Sequence, residues 1–179
     1  MTTSPKPAFA EPTLAELIRY NNWANQALID TCQTLDPSEL EAAMPGAYGT
    51  IRDTIQHIIE GEEFYISLLT GHRPRPPFGW ATKPGLPELK DYAVQVGNAL
   101  AEAVNQTRPT DPITEVDGGN TFHYQAVVVL IQIISHGVEH RTNITTTINA
   151  KDHTPPALDG WGYLSSDLKR FSIREKVNE

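Results

Sequence analysis

The sequence predicts an all-α protein: an up-down four-helix bundle with a short β-hairpin before the last long helix and a short C-terminal helix. Gly and Pro divide the 179 residues into four long segments. Within these segments apolar residues recur at helical spacing. The length suits one domain, so residues 1–179 are expected to form a single helical unit, with residues 1–12 as a flexible N-terminal segment.

Local signals place the four long helices at residues 13–35, 50–69, 87–107 and 125–149. Thr50-Ile-Arg-Asp53 is a helix-capping pattern at the start of the second. Pro87 suits the first turn of the third. The fourth opens with Ala126-Val-Val-Val-Leu-Ile131, which is β-branched enough for a buried strand. Its length favours a helix, because about 25 residues pass with only Gly137 as a break.

Two shorter features complete the predicted fold. Residues 113–116 and 121–124 have strand character and are separated by Asp117-Gly-Gly-Asn120, a hairpin signal. After the fourth helix, Trp161-Gly-Tyr-Leu opens a short helix that is expected to reach about Phe171.

Composition narrows the range of partners. The net charge of −8 argues against nucleic acid or an anionic membrane surface as a partner, since both need clustered Lys and Arg.

The first thirteen residues lack the apolar core of a signal peptide, and no apolar run is long enough to span a membrane. Cys32 is the single cysteine, which excludes an internal disulfide and suggests a small core residue. A cytoplasmic protein is therefore expected.

The histidines carry the functional signal. His136 and His140 are four residues apart, so on a helix they lie about 40° apart around the axis and about 6 Å apart along it. Two imidazoles at this spacing can converge on one metal ion, although hydrogen-bonded core histidines remain an alternative. His57, on a small-residue stripe of the second helix that includes Gly61, is the best candidate for a third ligand. His72, His123 and His153 fall in loops or the hairpin and are expected to have no functional role.

Three imidazoles would leave at least one coordination position open, which is typical of catalytic or substrate-binding sites and not of closed structural zinc sites. Zinc or nickel is the expected ion, with iron as a further candidate. Glu139, about 60° around the helix from His136, is a weak candidate for a catalytic base or a partner of a ligand N–H. Glu60, Glu62 and Glu63 are expected on a charged rim.

Three motifs in register resemble the DinB-like (YfiT-related) family. Tyr20-Asn-Asn-Trp23-Ala24-Asn25 is similar to the opening motif of that family, and Thr50-Ile-Arg-Asp-Thr-Ile-Gln-His57 to its second helix. His136-Gly-Val-Glu-His140-Arg141 is similar to its closing H-x-x-x-H-R signature. Thr142-Asn143 stands where Gly-Gln is usual, and Glu139 replaces a frequent histidine.

The resemblance implies an up-down four-helix bundle, a homodimer, and a metal held by His57, His136 and His140. Relatives include enzymes that use mycothiol, bacillithiol or glutathione, so it also implies a low-molecular-weight thiol cofactor and a small-molecule substrate. A thiol S-transferase or a related metal-dependent enzyme is the first hypothesis. The second is a non-catalytic dimeric metal-binding or stress-response module. The third is a metal-dependent hydrolase or peptidase, because His136 to His140 also fits an inverted H-x-x-E-H motif.

Overall fold

The computed structural model describes residues 13–74 and 83–171, and it is mostly helical. The predicted flexible segment 1–12 lies outside these residues. All four predicted long helices are present with ends within three residues of those expected. They are α1 (Thr13–Cys32), α2 (Ile51–Thr70), α3 (Leu86–Gln106) and α4 (Ala126–Asn149). A single 3-10 turn, Glu39–Glu41, lies between α1 and α2.

The predicted hairpin is confirmed. Strands β1 (Pro112–Asp117) and β2 (Asn120–Gln125) pair antiparallel, with Asp117 opposite Asn120. Gly118 and Gly119 form the turn, and both have positive φ (53° and 80°), a conformation that favours glycine. The C-terminal helix is split in two, α5 (Gly160–Ser166) and α6 (Leu168–Phe171).

The start of α2 follows the capping signal in the sequence. The Thr50 hydroxyl accepts a hydrogen bond from the backbone N–H of Asp53, 3.1 Å away, which satisfies a donor that has no partner within the helix. Gly71 ends the helix in the left-handed conformation with φ of 84°. Both ends of the helix that carries His57 are therefore fixed by local chemistry.

The long helices share one apolar core. Helix α1 packs against α3 and α4, and α2 packs against the same two helices. The β-branched start of α4 contributes to this core: Val129 and Ile133 are buried, whereas Val128 and Ile131 face outward. Cys32 is fully buried, and burial raises the pKa of its thiol to about 12, which confirms it as an unreactive core residue. Among the described residues, no helix combines the length and the apolar character needed to span a membrane.

The alternating up-down order is not confirmed. Arg52, at the start of α2, donates to the carbonyl oxygen of Pro84 just before α3, and Leu69 and Ala103 near the two C-terminal ends line one cavity. Helices α2 and α3 therefore run in the same direction. Helix α4 runs opposite to α2, since His57 lies beside His140 while Tyr65, two turns later on α2, meets Gln132, two turns earlier on α4.

Candidate metal centre

The three predicted histidines meet between α2 and α4. One ring nitrogen from each of His57, His136 and His140 lies within 4.8 Å of the others. The Nε2 atoms of His57 and His136 are 3.0 Å apart, and the ring centroids of His136 and His140 are 4.4 Å apart. His136 and His140 are buried, with 9% and 8% of their surface exposed, and His57 is partly buried. The structure thus places three distant histidines in position to bind one metal ion.

A glycine allows the two helices to approach at this point. A Cβ atom added to Gly61 would lie 2.8 Å from Cε1 of His136, closer than real Cβ contacts. Gly61 is one turn after His57 on the same helix, so the missing side chain leaves room for the His136 ring beside the His57 ring. The small-residue stripe seen in the sequence is therefore one wall of the histidine cluster.

All three histidines are held in the neutral form near pH 7. Burial lowers the pKa of His57 to about 4, and the neighbouring His140 acts in the same direction. Burial also lowers the pKa of His136 to about 4, with further contributions from His140, His57 and Arg141. For His140 burial again lowers the pKa, while Glu139 opposes the shift. Because metal ligation requires an unprotonated nitrogen, these side chains are ready to bind an ion at neutral pH.

Two tyrosines flank the cluster on different sides. The Tyr48 ring stacks on His57 at a centroid distance of 3.7 Å and meets the edge of His140 at 5.5 Å. Tyr65 contacts His136 edge-on at 5.6 Å, and its hydroxyl accepts a hydrogen bond from Gln132. Tyr48 is 42% exposed whereas Tyr65 is 7% exposed, so Tyr48 covers the side of the cluster nearest to solvent.

The donor set fits a divalent transition metal. Metal–nitrogen bonds of 2.0–2.1 Å in a tetrahedral site place the nitrogens about 3.3 Å apart, and the nitrogens of the three histidines lie within 4.8 Å of one another. Within the described residues, Nδ1 of His140 is buried and has no hydrogen-bond partner. A buried nitrogen without a partner is costly, and a bound ligand in the cluster is one way to satisfy it.

The weak candidate Glu139 lies at the edge of this arrangement. Its side chain is exposed to solvent, and its negative charge acts to raise the pKa of His140. The other three histidines contact groups outside the cluster. His123 bonds to Thr114 in the hairpin, and His153 bonds to Glu39 at 2.8 Å. His72 contacts only its own turn among the described residues.

A second polar cluster, which the sequence analysis missed, lies beside the histidines. Glu62 was expected on a charged rim but is only 2% exposed, and its Oε1 accepts hydrogen bonds from the amides of Asn21 (2.6 Å) and Asn25 (2.7 Å). The Nη1 atom of Arg141 donates to the oxygens of the same two asparagines, at 2.8 and 2.6 Å. These four residues are called the Asn–Glu–Arg network below. The neighbouring Glu63 is also buried, so that expectation was wrong for both.

The network explains two of the motifs. Asn21 and Asn25 belong to the motif in α1, and Arg141 closes the motif in α4. A Cβ atom at Gly137 would lie 2.5 Å from Oδ1 of Asn21 and 2.7 Å from Nη1 of Arg141, so a glycine is required there. A recurring three- to four-residue spacing of Asn21 and Asn25 with apolar neighbours on α1 was the available signal that these amides face the core.

Comparison with protein families matches residues 1–175 to the DinB family. The chain belongs to the DinB family. The resemblance drawn from the three motifs is thereby confirmed, and those motifs supply all three histidines of the cluster and every residue of the Asn–Glu–Arg network except Glu62. Comparison with curated proteins gives no match.

Proposed function

We propose that this DinB-family protein is a metal-dependent enzyme that acts on a small molecule, with His57, His136 and His140 as ligands of one divalent transition metal ion. The observation that carries the proposal is the convergence of three neutral, largely buried imidazoles from two helices. Zinc or nickel is the proposed ion, with iron as a further candidate. When bound to three imidazoles, such an ion can lower the pKa of a coordinated water to about 7 or hold a thiol as its thiolate.

The protein's own residues supply binding and shielding. Burial keeps His57 and His136 unprotonated, so they compete well for an ion at neutral pH. Tyr48 covers the cluster from the solvent side and is the side chain that an incoming molecule would meet first. Exposed Glu139 is kept as a weak candidate for a base, since it lies beside the ligand His140.

The reaction class proposed first is transfer to or from a low-molecular-weight thiol, and the thiol-using relatives of the motifs support this choice. A direct experiment incubates the zinc- or nickel-loaded protein with mycothiol, bacillithiol or glutathione and a set of electrophiles, and measures adducts by mass spectrometry. Adduct formation above the rate without protein supports the transferase. No adduct with any thiol would favour the hydrolase or the non-catalytic module.

The two alternatives are less well supported. An inverted H-x-x-E-H peptidase takes a carboxylate as its third ligand, yet within residues 13–74 and 83–171 no Asp or Glu joins the histidine group, and His57 does. A non-catalytic, stress-response module would use the same three ligands. The four-helix bundle arrangement, the homodimer and the cytoplasmic location expected from the sequence are kept as parts of the proposal.

Metal content tests the site itself. The purified protein is expected to carry about one ion per chain by mass spectrometry, and His57→Ala is expected to reduce this toward none, because two remaining imidazoles bind far more weakly. His123→Ala is the matched control, since His123 is an exposed histidine of the hairpin that bonds to Thr114. Equal metal content in wild type and His57→Ala would contradict the three-histidine site and favour the peptidase.

A further inference from the structure

The geometry points to a role for the Asn–Glu–Arg network in metal binding. We propose that this network is a positioning device that fixes α2 and α4 at the separation the three histidines need to share one ion. The inference rests on the proposed metal site. It assigns a role in that site to residues that do not touch the ion.

The network is a closed cycle of hydrogen bonds. Each asparagine donates its amide N–H to Oε1 of Glu62 and accepts from Nη1 of Arg141 through its carbonyl oxygen. Glu62 on α2 and Arg141 on α4 are thus joined twice, by Asn21 and by Asn25, which lie one turn apart on α1. Because all four bonds are 2.6–2.8 Å long, sliding or rotating any one of the three helices would stretch at least one of them.

The network is adjacent to the histidines on both helices. Arg141 directly follows His140 on α4, and Glu62 directly follows Gly61, the residue against which His136 packs on α2. Between the two ligand histidines of α4 lies Gly137, which accommodates Asn21 and Arg141. A shift of the network is therefore passed to the histidine nitrogens within one helical turn.

Directional bonding is what distinguishes this network from apolar packing. Replacing a buried polar set by apolar side chains is often neutral or stabilising, so stability alone is a weak reason to bury Glu62 and Arg141. Apolar contacts tolerate small displacements between helices, whereas hydrogen bonds weaken steeply when distance and angle change. Metal coordination needs nitrogens placed to a few tenths of an ångström, which is the precision that such bonds supply.

Cobalt(II) binding provides the test, because the visible absorption of a cobalt ion reports its coordination geometry independently of catalysis. Asn21→Ala is compared with Asn22→Ala. Asn22, the next residue on α1, donates to the carbonyl oxygen of Gly97 at 2.7 Å and so links α1 to α3, away from the histidines. Both variants lose a side-chain amide from the same helix. Only Asn21→Ala is expected to alter the cobalt spectrum and to weaken cobalt binding, by about tenfold or more.

Arg141→Lys is the second network variant, for the case that Asn21→Ala does not fold. It keeps the positive charge beside the histidines but lacks the planar guanidinium group, so a change in spectrum reports geometry and not charge. A changed spectrum in either folded network variant supports the proposal. Wild-type spectrum and affinity in both would overturn it, while wild-type protein that binds no cobalt would instead overturn the proposed metal site.

Discussion

Two polar clusters lie side by side between α2 and α4, and they differ in how their polar atoms are satisfied. In the Asn–Glu–Arg network the two amides are paired with Glu62 and Arg141 through four hydrogen bonds among three helices, while Nη2 of Arg141 has no hydrogen-bond partner among the described residues. In the histidine cluster His57 and His136 meet through their Nε2 atoms, and Nδ1 of His140 has no hydrogen-bond partner among the described residues. The two clusters therefore differ in chemistry: the unpaired atom of the network is a donor, whereas each neutral imidazole has a nitrogen lone pair that can bind an ion.

The comparison shows what separates a structural polar cluster from a binding site. Both clusters are desolvated, which alone gives no function. Each neutral imidazole offers one nitrogen lone pair to an ion, whereas the oxygen lone pairs of Asn21, Asn25 and Glu62 accept hydrogen bonds within the network. The difference predicts that changes in the network act first on stability, and that changes in the histidine cluster act first on metal binding.

The largest effect on stability is expected from Arg141→Met. The change removes the donor of both asparagine oxygens, and it removes the positive charge that opposes the rise in the pKa of buried Glu62. Because it leaves buried polar groups unpaired, the free energy of unfolding should fall by about 3 kcal/mol. Chemical denaturation of the metal-free protein measures it. Arg108→Met is the control, because Arg108 forms an exposed pair with Asp111 and such pairs contribute little to stability. Equal losses in the two variants would contradict the network's structural role.

The histidine cluster could be predicted from the sequence because helical spacing is strictly local. The i, i+4 pair of His136 and His140 sets the ring directions, and the small-residue stripe around Gly61 marked the side of α2 that faces them. The Thr50 cap and the hairpin glycines are equally local signals, and the elements they mark have the expected ends. The order of helices and strands could therefore be predicted from local signals alone, without knowledge of the tertiary structure.

The network and the helix directions could not be predicted in the same way. Glu62 lies at helical spacing from Ile58 and Ile66 on the apolar stripe of α2, but a charged residue is normally solvated, and its pairing with two amides of α1 explains its burial. This pairing joins Glu62 to residues that lie 37 and 41 positions earlier in the chain. The parallel course of α2 and α3 likewise depends on the connection between them, which carries no directional signal in its composition.

A change of pH is expected to have a smaller effect on the free energy of unfolding than Arg141→Met. Burial holds the pKa of His136 at about 4 in the folded protein, against 6.5 for the ordinary side chain. Between these values the unfolded chain binds a proton that the folded chain does not, so stability rises with pH across this window and is lost as pH falls. His136 alone contributes a slope of up to about 1.4 kcal/mol per pH unit in the metal-free protein.

Urea unfolding at several pH values from 4 to 7 measures this slope. Subtracting the curve of His136→Asn isolates the histidine from the carboxyl groups that titrate in the same range. A difference curve that is flat across the window, or that rises toward low pH, would show that the folded protein does not hold His136 unprotonated.

Gly61→Ala is expected to change the free energy of unfolding least. It should nevertheless weaken zinc binding clearly. The added methyl group meets Cε1 of His136 at 2.8 Å, and this ring end can rotate away. Alanine also has a helix propensity about 1 kcal/mol better than glycine, so the free energy of unfolding should stay within about 1 kcal/mol of wild type. The displaced His136 ring can no longer reach the position at which it and His57 bind the same ion. Zinc affinity measured by calorimetry should therefore fall about tenfold or more.

Gly137→Ala is expected to lose stability in chemical denaturation, unlike Gly61→Ala, if the two clusters differ as described. Its methyl group meets Oδ1 of Asn21 and Nη1 of Arg141, which are fixed by the network and cannot move without breaking bonds. The variant should therefore lose about 1–3 kcal/mol of stability, as overpacked sites do. If Gly61→Ala instead lost stability and kept its zinc affinity, the space beside His136 would belong to the packing of the helices and not to the metal site.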